Sequence, residues 1–125
     1  MQEIWKDIEG YEGLYQASNL GQIKSIQYFN HANNKSYTRD KILKPIINEK
    51  GYYRVDLYKE RKSKRFRIHR LIAKTFIPNP NNFPEVNHIN GNKKDNCINN
   101  LEWCTHKHNM KEAYKLGLVI PPKNK

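Results

Sequence analysis

Residues 86–109 bring together the types needed to break a phosphodiester: His88 beside Asn87, then Asn109. Glu85 to His88 reads as a short strand, and Asn90-Gly91-Asn92 as the turn-rich opening of a loop. Leu101 to Cys104 reads as a second short strand, with Leu101 and Trp103 on one face. Thr105 is a good helix N-cap and Gly117 a left-handed stop, so a helix is expected to run to about Leu116. Strand, loop, strand and helix then fold back on themselves. That brings Asn87 and His88 close to the first turns of the helix, where Asn109 lies. Two amide oxygens meeting at one point suit Mg²⁺, which keeps waters and takes phosphate oxygens. A histidine beside them can take a proton from water. The ion can neutralise charge on the phosphate and on the leaving oxygen.

The elements upstream must carry and orient these groups. Residues 3–26 read as a small β unit: Glu9 to Ser18 approaches a turn at Asn19-Leu20-Gly21, and Gln22 to Ile26 alternates polar and apolar. Residues 27–40 are polar and read as a mobile loop. After the turn at Glu49-Lys50-Gly51, Tyr53, Val55 and Leu57 face one side of a half-buried strand, with Arg54, Asp56 and Tyr58 on the other. A turn at Glu60 to Ser63 leads into Phe66 and Ile68, read as inward, interleaved with Arg65, Arg67 and His69, read as outward. This hairpin has a strongly basic face and tip. His69 to Phe76 reads as a short helix stopped by Pro78 and Pro80. Backbone phosphates of a duplex would be tracked by Lys59, Arg61, Lys62, Lys64, Arg65, Arg67, His69 and Arg70, with Lys93 and Lys94 on the later loop. A two-stranded ribbon fits the major groove, which makes Arg54 and Tyr58 the candidates for contact there.

Composition narrows the partners. The 125 residues carry 23 Lys and Arg against 12 Asp and Glu, a net charge of +11. Such an excess favours a polyanion. No strongly amphipathic basic helix is visible, and no stretch approaches the roughly 20 apolar residues that span a bilayer, so a membrane is not the expected partner. The N-terminus lacks a basic segment followed by an apolar one, so the protein is expected to remain in the cytoplasm. Cys97 and Cys104 are too few for a disulfide framework, and Cys104, His106 and His108 crowd too closely for structural zinc. The cysteines, with Leu101, Trp103, Tyr114 and Leu116, read as core. His106 and His108 read as solvent or phosphate contacts.

Several blocks in order carry a resemblance. Val86-Asn87-His88-x-x-Gly91-Asn92, then Asn99-Asn100-Leu101-x-Trp103, then Thr105-x-x-x-Asn109, resembles the HNH endonucleases common in phages and group I introns. His69-Arg70-Leu71-Ile72-Ala73 and Phe76-Ile77-Pro78 look like that family's lead-in. Glu3 to Tyr11 with Tyr15 to Gly21 resembles the nuclease-associated modular domain that precedes such cores.

The resemblance implies an α+β fold: a small antiparallel β module and a basic hairpin, followed by a ββα-metal (His-Me finger) nuclease core. The expected division is an N-terminal DNA-binding module over residues 1–48, the core with its preceding hairpin and helix over 49–117, and a flexible tail over 118–125. It implies His88 as general base, with Asn100 pinning the loop and helping to orient it. Asn87 and Asn109 are implied as metal ligands for one Mg²⁺ or Mn²⁺ ion per site. Asn87 stands where many members carry Asp. The implied activity is hydrolysis of double-stranded DNA to a 5′-phosphate and a 3′-hydroxyl, by a nicking or homing-type enzyme of a phage or mobile element. A homodimer or a phage protein partner is left open. The rival readings are a catalytically decayed DNA-binding module, an RNA-directed relative, and a subunit that needs a larger assembly.

Overall fold

Short strands of alternating character, each ended by a turn, make up the first half of the chain. The structure, a computed structural model, describes residues 1–117, and of Tyr28, Phe29 and Arg39 the backbone alone. Strands β1 (Trp5–Asp7), β2 (Tyr15–Ser18), β3 (Ile23–Asn30) and β4 (Lys35–Ile42) form an antiparallel sheet in sequence order. β5 (Ile46–Ile47), β6 (Tyr53–Lys59) and β7 (Lys62–Arg67) form a second sheet. Helix α1 (Ile68–Phe76) follows directly. β8 (Glu85–His88) and β9 (Leu101–Cys104) pair antiparallel, and helix α2 (His106–Lys115) closes the described chain.

The mobile loop expected over residues 27–40 is instead most of the β3–β4 hairpin. Its polar residues make the turn rather than a loop. Asn30 Oδ1 accepts the Ala32 N–H at 2.9 Å, Asn33 Oδ1 accepts the Lys35 N–H at 3.1 Å, and Asn34 takes a left-handed φ of 58°. The flanking residues meet in register, Gln27 opposite Thr38 and Asn30 opposite Lys35. In the basic hairpin the turn is tighter than the sequence suggested. Glu60 and Arg61 both have positive φ, and Lys59 pairs with Lys62. Paired positive φ values match the twist of the strands.

Ile8 just past β1, Ala17 and Ile23 from the first sheet, Val55 and Leu57 from β6, Ile68, Leu71, Ile72 and Ala73 from α1, and Val86 and Leu101 from β8 and β9 form one buried cluster. Helix α1 sits at its centre, because Leu71 and Ile72 recur at helical spacing from Ile68 and face sheets on both sides. The β5–β6 pairing, Ile46 opposite Arg54, runs across residue 48. Cys104 is buried and Cys97 half-buried, both as free thiols. Leu116, read as core, is 44% exposed at the end of α2. The Thr105 hydroxyl accepts the His108 N–H at 3.2 Å, and Gly117 follows with φ 71°. The tail expected over residues 118–125 lies outside the described residues.

Candidate active site

β8 ends on His88, and the turn beyond it closes by the Gly91 N–H donating to the His88 carbonyl at 2.8 Å. The ring is 5% exposed and held on several sides. Nε2 lies 2.8 Å from Asn96 Oδ1. The His69 ring packs 4.8 Å away and the Tyr52 ring 5.9 Å away, centre to centre. Tyr52 and His69 themselves stack at 5.1 Å with planes 18° apart. Burial pushes the His88 pKa below its ordinary value, and the Asn96 bond partly offsets this. With Nε2–H donating to the amide oxygen, Nδ1 is the nitrogen left to accept a proton.

His69 does not face outward with Arg65 and Arg67, as its place in the strand alternation suggested. The helix begins at Ile68, so the two-residue period ends there and His69 turns into the core, 5% exposed. Burial, then the adjoining His88 ring, push its pKa down to about 3. It is a neutral packing group against the His88 ring, buried away from the exposed basic residues of the hairpin.

The amides stand on either side of the histidine's cleft. Asn87 is buried and donates from Nδ2 to Glu102 Oε1 at 3.0 Å. That same oxygen lies 3.1 Å from His108 Nε2. Asn109, one turn into α2, donates from Nδ2 to Glu85 Oε1 at 2.8 Å, while Glu85 Oε2 lies 2.8 Å from His106 Nδ1. The Asn109 bond holds the Glu85 carboxyl below its usual range, against the opposing effect of burial. His106 and His108 are therefore partners of these carboxylates rather than simple solvent contacts. The strand register would have pointed to Glu102, because Asn87 pairs directly with it across β8–β9.

Asn87, His88 and Asn109 line one cleft of about 160 Å³ with Tyr52, Gly91, Lys93 and Met110. A larger cleft of about 470 Å³ lies elsewhere, lined by Tyr15, Tyr58, Lys59 and Arg61 among others, and holds none of these groups. The donor set fits a hard divalent cation. Both amide N–H₂ groups are engaged by carboxylates, which leaves the amide oxygens of Asn87 and Asn109 as ligands. Among the described residues, no group of three or more His, Cys, Asp and Glu could hold a metal, so the Cys97, Cys104, His106 and His108 set does not assemble.

Asn100 pins the loop, but its side chain does not reach His88 directly. Its Oδ1 accepts the Asn90 N–H at 2.9 Å and its Nδ2 donates to the Asp95 carbonyl at 3.0 Å, while its backbone carbonyl accepts the Ile89 N–H at 2.8 Å. The side chain hydrogen-bonded to the histidine is Asn96, which the sequence reading did not single out. Nothing local marks it among so many asparagines.

The basic residues divide into those without and those with a hydrogen-bond or ion-pair partner among the described residues. Arg61, Lys62, Lys64, Arg67 and Lys94 are exposed. Arg65 is paired with Asp56 at 2.8 Å. Lys59 donates to the Gly10 carbonyl at 2.7 Å, Arg70 to the Pro84 carbonyl at 2.9 Å, and Lys93 to the Lys50 carbonyl at 2.9 Å. Tyr58 is exposed, whereas Arg54 is half-buried and its Nε has no hydrogen-bond partner among the described residues. Arg54 is thus less available for a groove than its strand position implied. Tyr52 links the basic hairpin to the cleft: Arg67 lies 5.5 Å and Lys93 4.8 Å from its ring.

A paired β8–β9 followed by α2, with the histidine ending its first strand and an asparagine one turn into the helix, is the ββα arrangement that the HNH resemblance implied. Comparison with known proteins agrees. Residues 66–111 match the HNH endonuclease family and residues 3–58 match the NUMOD4 motif. The DNA endonuclease I-HmuI of Bacillus phage SP01 is 40% identical over 115 residues, which are 92% of this chain and 60% of that protein. An uncharacterized HNH endonuclease of Acanthamoeba polyphaga mimivirus is 54% identical over 71 residues, 57% of this chain and 22% of that protein. A solved structure described as DNA binding and cleavage by the HNH homing endonuclease I-HmuI superposes with a TM-score of 0.74 at 38% identity, covering 94% of this chain and 62% of that one. Residues 66–111 therefore belong to the HNH endonuclease family, preceded by a NUMOD4 motif, and the α+β fold is that of I-HmuI. The chain spans less than two thirds of the length of each of these relatives. Among the described residues, no helix is long and apolar enough to cross a membrane.

Proposed function

We propose that this chain is a divalent-metal-dependent DNA endonuclease that hydrolyses duplex DNA to a 5′-phosphate and a 3′-hydroxyl. The observation that carries this reading is the shared cleft: His88, whose Nδ1 has no hydrogen-bond partner among the described residues, with Asn87 and Asn109 lining the same cleft. These amides would hold one Mg²⁺ or Mn²⁺ ion, which when bound supplies positive charge for the phosphate and the leaving oxygen. His88 accepts a proton from water as the water oxygen bonds to phosphorus. The P–O3′ bond breaks, and the 3′ oxygen leaves with the electron pair and takes a proton from solvent. Lys93 beside the cleft, and Arg67 through Tyr52, extend the positive surface from the hairpin to the reacting phosphate. The relatives' phage and viral sources favour a homing or nicking role, since a single ββα site cuts one strand at a time.

The test is cleavage of supercoiled plasmid by the wild type and by His88→Ala, with Mg²⁺ or Mn²⁺ and with EDTA. Metal-dependent nicking is expected, slowed by about 10²–10⁴-fold in the variant while DNA binding persists. Binding without cleavage under every metal would instead establish a decayed binding module, the reading that the neutral Asn87 favours.

A further inference from the structure

The residue that holds His88 is itself held by the N-terminal sheet. Asn96 is buried, and its backbone lies against Gly21. A Cβ on Gly21 would stand 2.7 Å from Asn96 C, 2.8 Å from its O and 2.9 Å from its Cβ, closer than such atoms come. Gly21 also has a φ of 92°, which side chains rarely adopt. Two residues beyond Asn96, the Ile98 N–H donates to the Asn19 carbonyl at 3.0 Å. The turn from Ser18 to Gly21 is rigid in turn. Ser18 Oγ accepts the N–H groups of Leu20 and Gln22 at 3.2 and 3.1 Å, and Asn19 Oδ1 accepts the Ile4 N–H at 2.7 Å while its Nδ2 donates to the Gln2 carbonyl at 3.0 Å. Both Ser18 and Asn19 are buried.

We propose that the Ser18–Gly21 turn is a positioning element for catalysis: by seating Asn96 it fixes the His88 ring in the Nε2–H tautomer, leaving Nδ1 to take the proton from water. The His69 ring packs 4.8 Å away on another side, tilted by 40°, but a ring-packing contact cannot choose between tautomers; the amide oxygen can. The N-terminal sheet is then part of the catalytic apparatus. This inference rests on the nuclease reading for its catalytic consequence, though the link from turn to ring does not.

The test uses the full chain. Spectra of ¹⁵N-histidine-labelled protein without metal, with His88 assigned by loss of its signals in His88→Gln, report the protonation of each ring nitrogen. Protonated Nε2 is expected in the wild type and in Asn96→Asp, and averaged tautomers in Asn96→Ala and Gly21→Ala. In single-turnover cleavage with Mn²⁺, Asn96→Ala and Gly21→Ala should each slow the bound complex by about 10- to 100-fold at unchanged DNA affinity. The double variant should be no slower than Asn96→Ala alone. Should Gly21→Ala fail to fold, Asn19→Ala loosens the same turn without adding an atom. Protonated Nδ1 in the wild type, or a turn variant that slows cleavage equally with and without the Asn96 side chain, overturns the proposal. A wild type that shows protonated Nε2 yet never cuts DNA overturns the nuclease reading, and the catalytic consequence with it, while supporting the link from turn to ring.

Discussion

At the scale of the residue, the proposed metal site turns on Asn87. A neutral amide is a weaker ligand than a carboxylate, but here it also donates a hydrogen bond to Glu102. Replacing it by Asp removes that donor and sets two carboxylates together. Asn87→Asp is therefore expected to destabilise the metal-free protein by about 1–3 kcal/mol, while lowering the Mn²⁺ concentration needed for half-maximal cleavage. Thermal melts in EDTA and in Mn²⁺ check both halves: the variant should melt below wild type in EDTA and regain the difference on adding metal. His69 makes a second residue-scale prediction. Its folded pKa of about 3 lies below its ordinary 6.5. As pH falls through 6.5 the unfolded chain binds a proton that the folded chain refuses, so this stability is fully present above 6.5 and declines toward pH 3. The slope approaches about 1.4 kcal/mol per pH unit. Urea unfolding at pH 7.5 and 4.5 should show a drop in wild type that is smaller in His69→Gln by about 2 kcal/mol.

At the scale of the element, the β6–β7 hairpin offers a test that separates binding from chemistry. Lys62 and Lys64 are exposed on β7, whereas Arg65 is occupied by Asp56. The Asp56 carboxyl sits below its usual range because Arg65 hydrogen-bonds to it, and the Arg65 pKa is raised for the same reason. Lys62→Ala and Lys64→Ala are each expected to reduce the slope of log affinity against log salt by about 0.9, with the cleavage rate of the bound complex unchanged. Equal slopes in wild type and variants would remove this strand from the DNA interface. Helix α2 behaves differently: its exposed first turn presents His106, His108 and Asn109 to the carboxylates of β8 and β9, so it adjoins the site.

At the scale of the whole molecule, one apolar cluster joins the N-terminal sheet to the ββα unit. Ile23 lies in β3, far along the chain from Val86 and Leu101, yet shares that cluster. Ile23→Ala should cost about 2–4 kcal/mol, and the loss should be felt in both halves together. Trp5 in β1 and Trp103 in β9 can report separately once the other is changed to Phe. Coincident urea midpoints in the two reporters are expected, each shifted equally by Ile23→Ala. Separate midpoints would show that the halves fold independently, and would weaken the link from the Ser18–Gly21 turn to His88.

Much of the ββα unit was legible because its signals are local. Thr105 caps its helix through its own hydroxyl, Gly117 stops it, and alternation marks Val55 and Leu57 as inward. The placement of His88 on the strand and Asn109 on the helix followed from such local signals, whereas Asn100 stood out only through the family resemblance. The hairpin over residues 27–40 was hidden, because polar turn residues read alike whether strands flank them or not. The direction of His69 depended on where a strand gives way to a helix, a boundary shift of one residue that alternation does not reveal. Asn96, Glu85 and Glu102 lay beyond local reading altogether. Each acquires its partner only when strands pair, a loop closes and the N-terminal turn presses against it, and contacts between residues distant in sequence leave no periodic trace. The amino-acid sequence by itself determined which groups are available for chemistry and which elements carry them; the tertiary structure alone decided which nitrogen of His88 is free, because that depends on packing across the whole core.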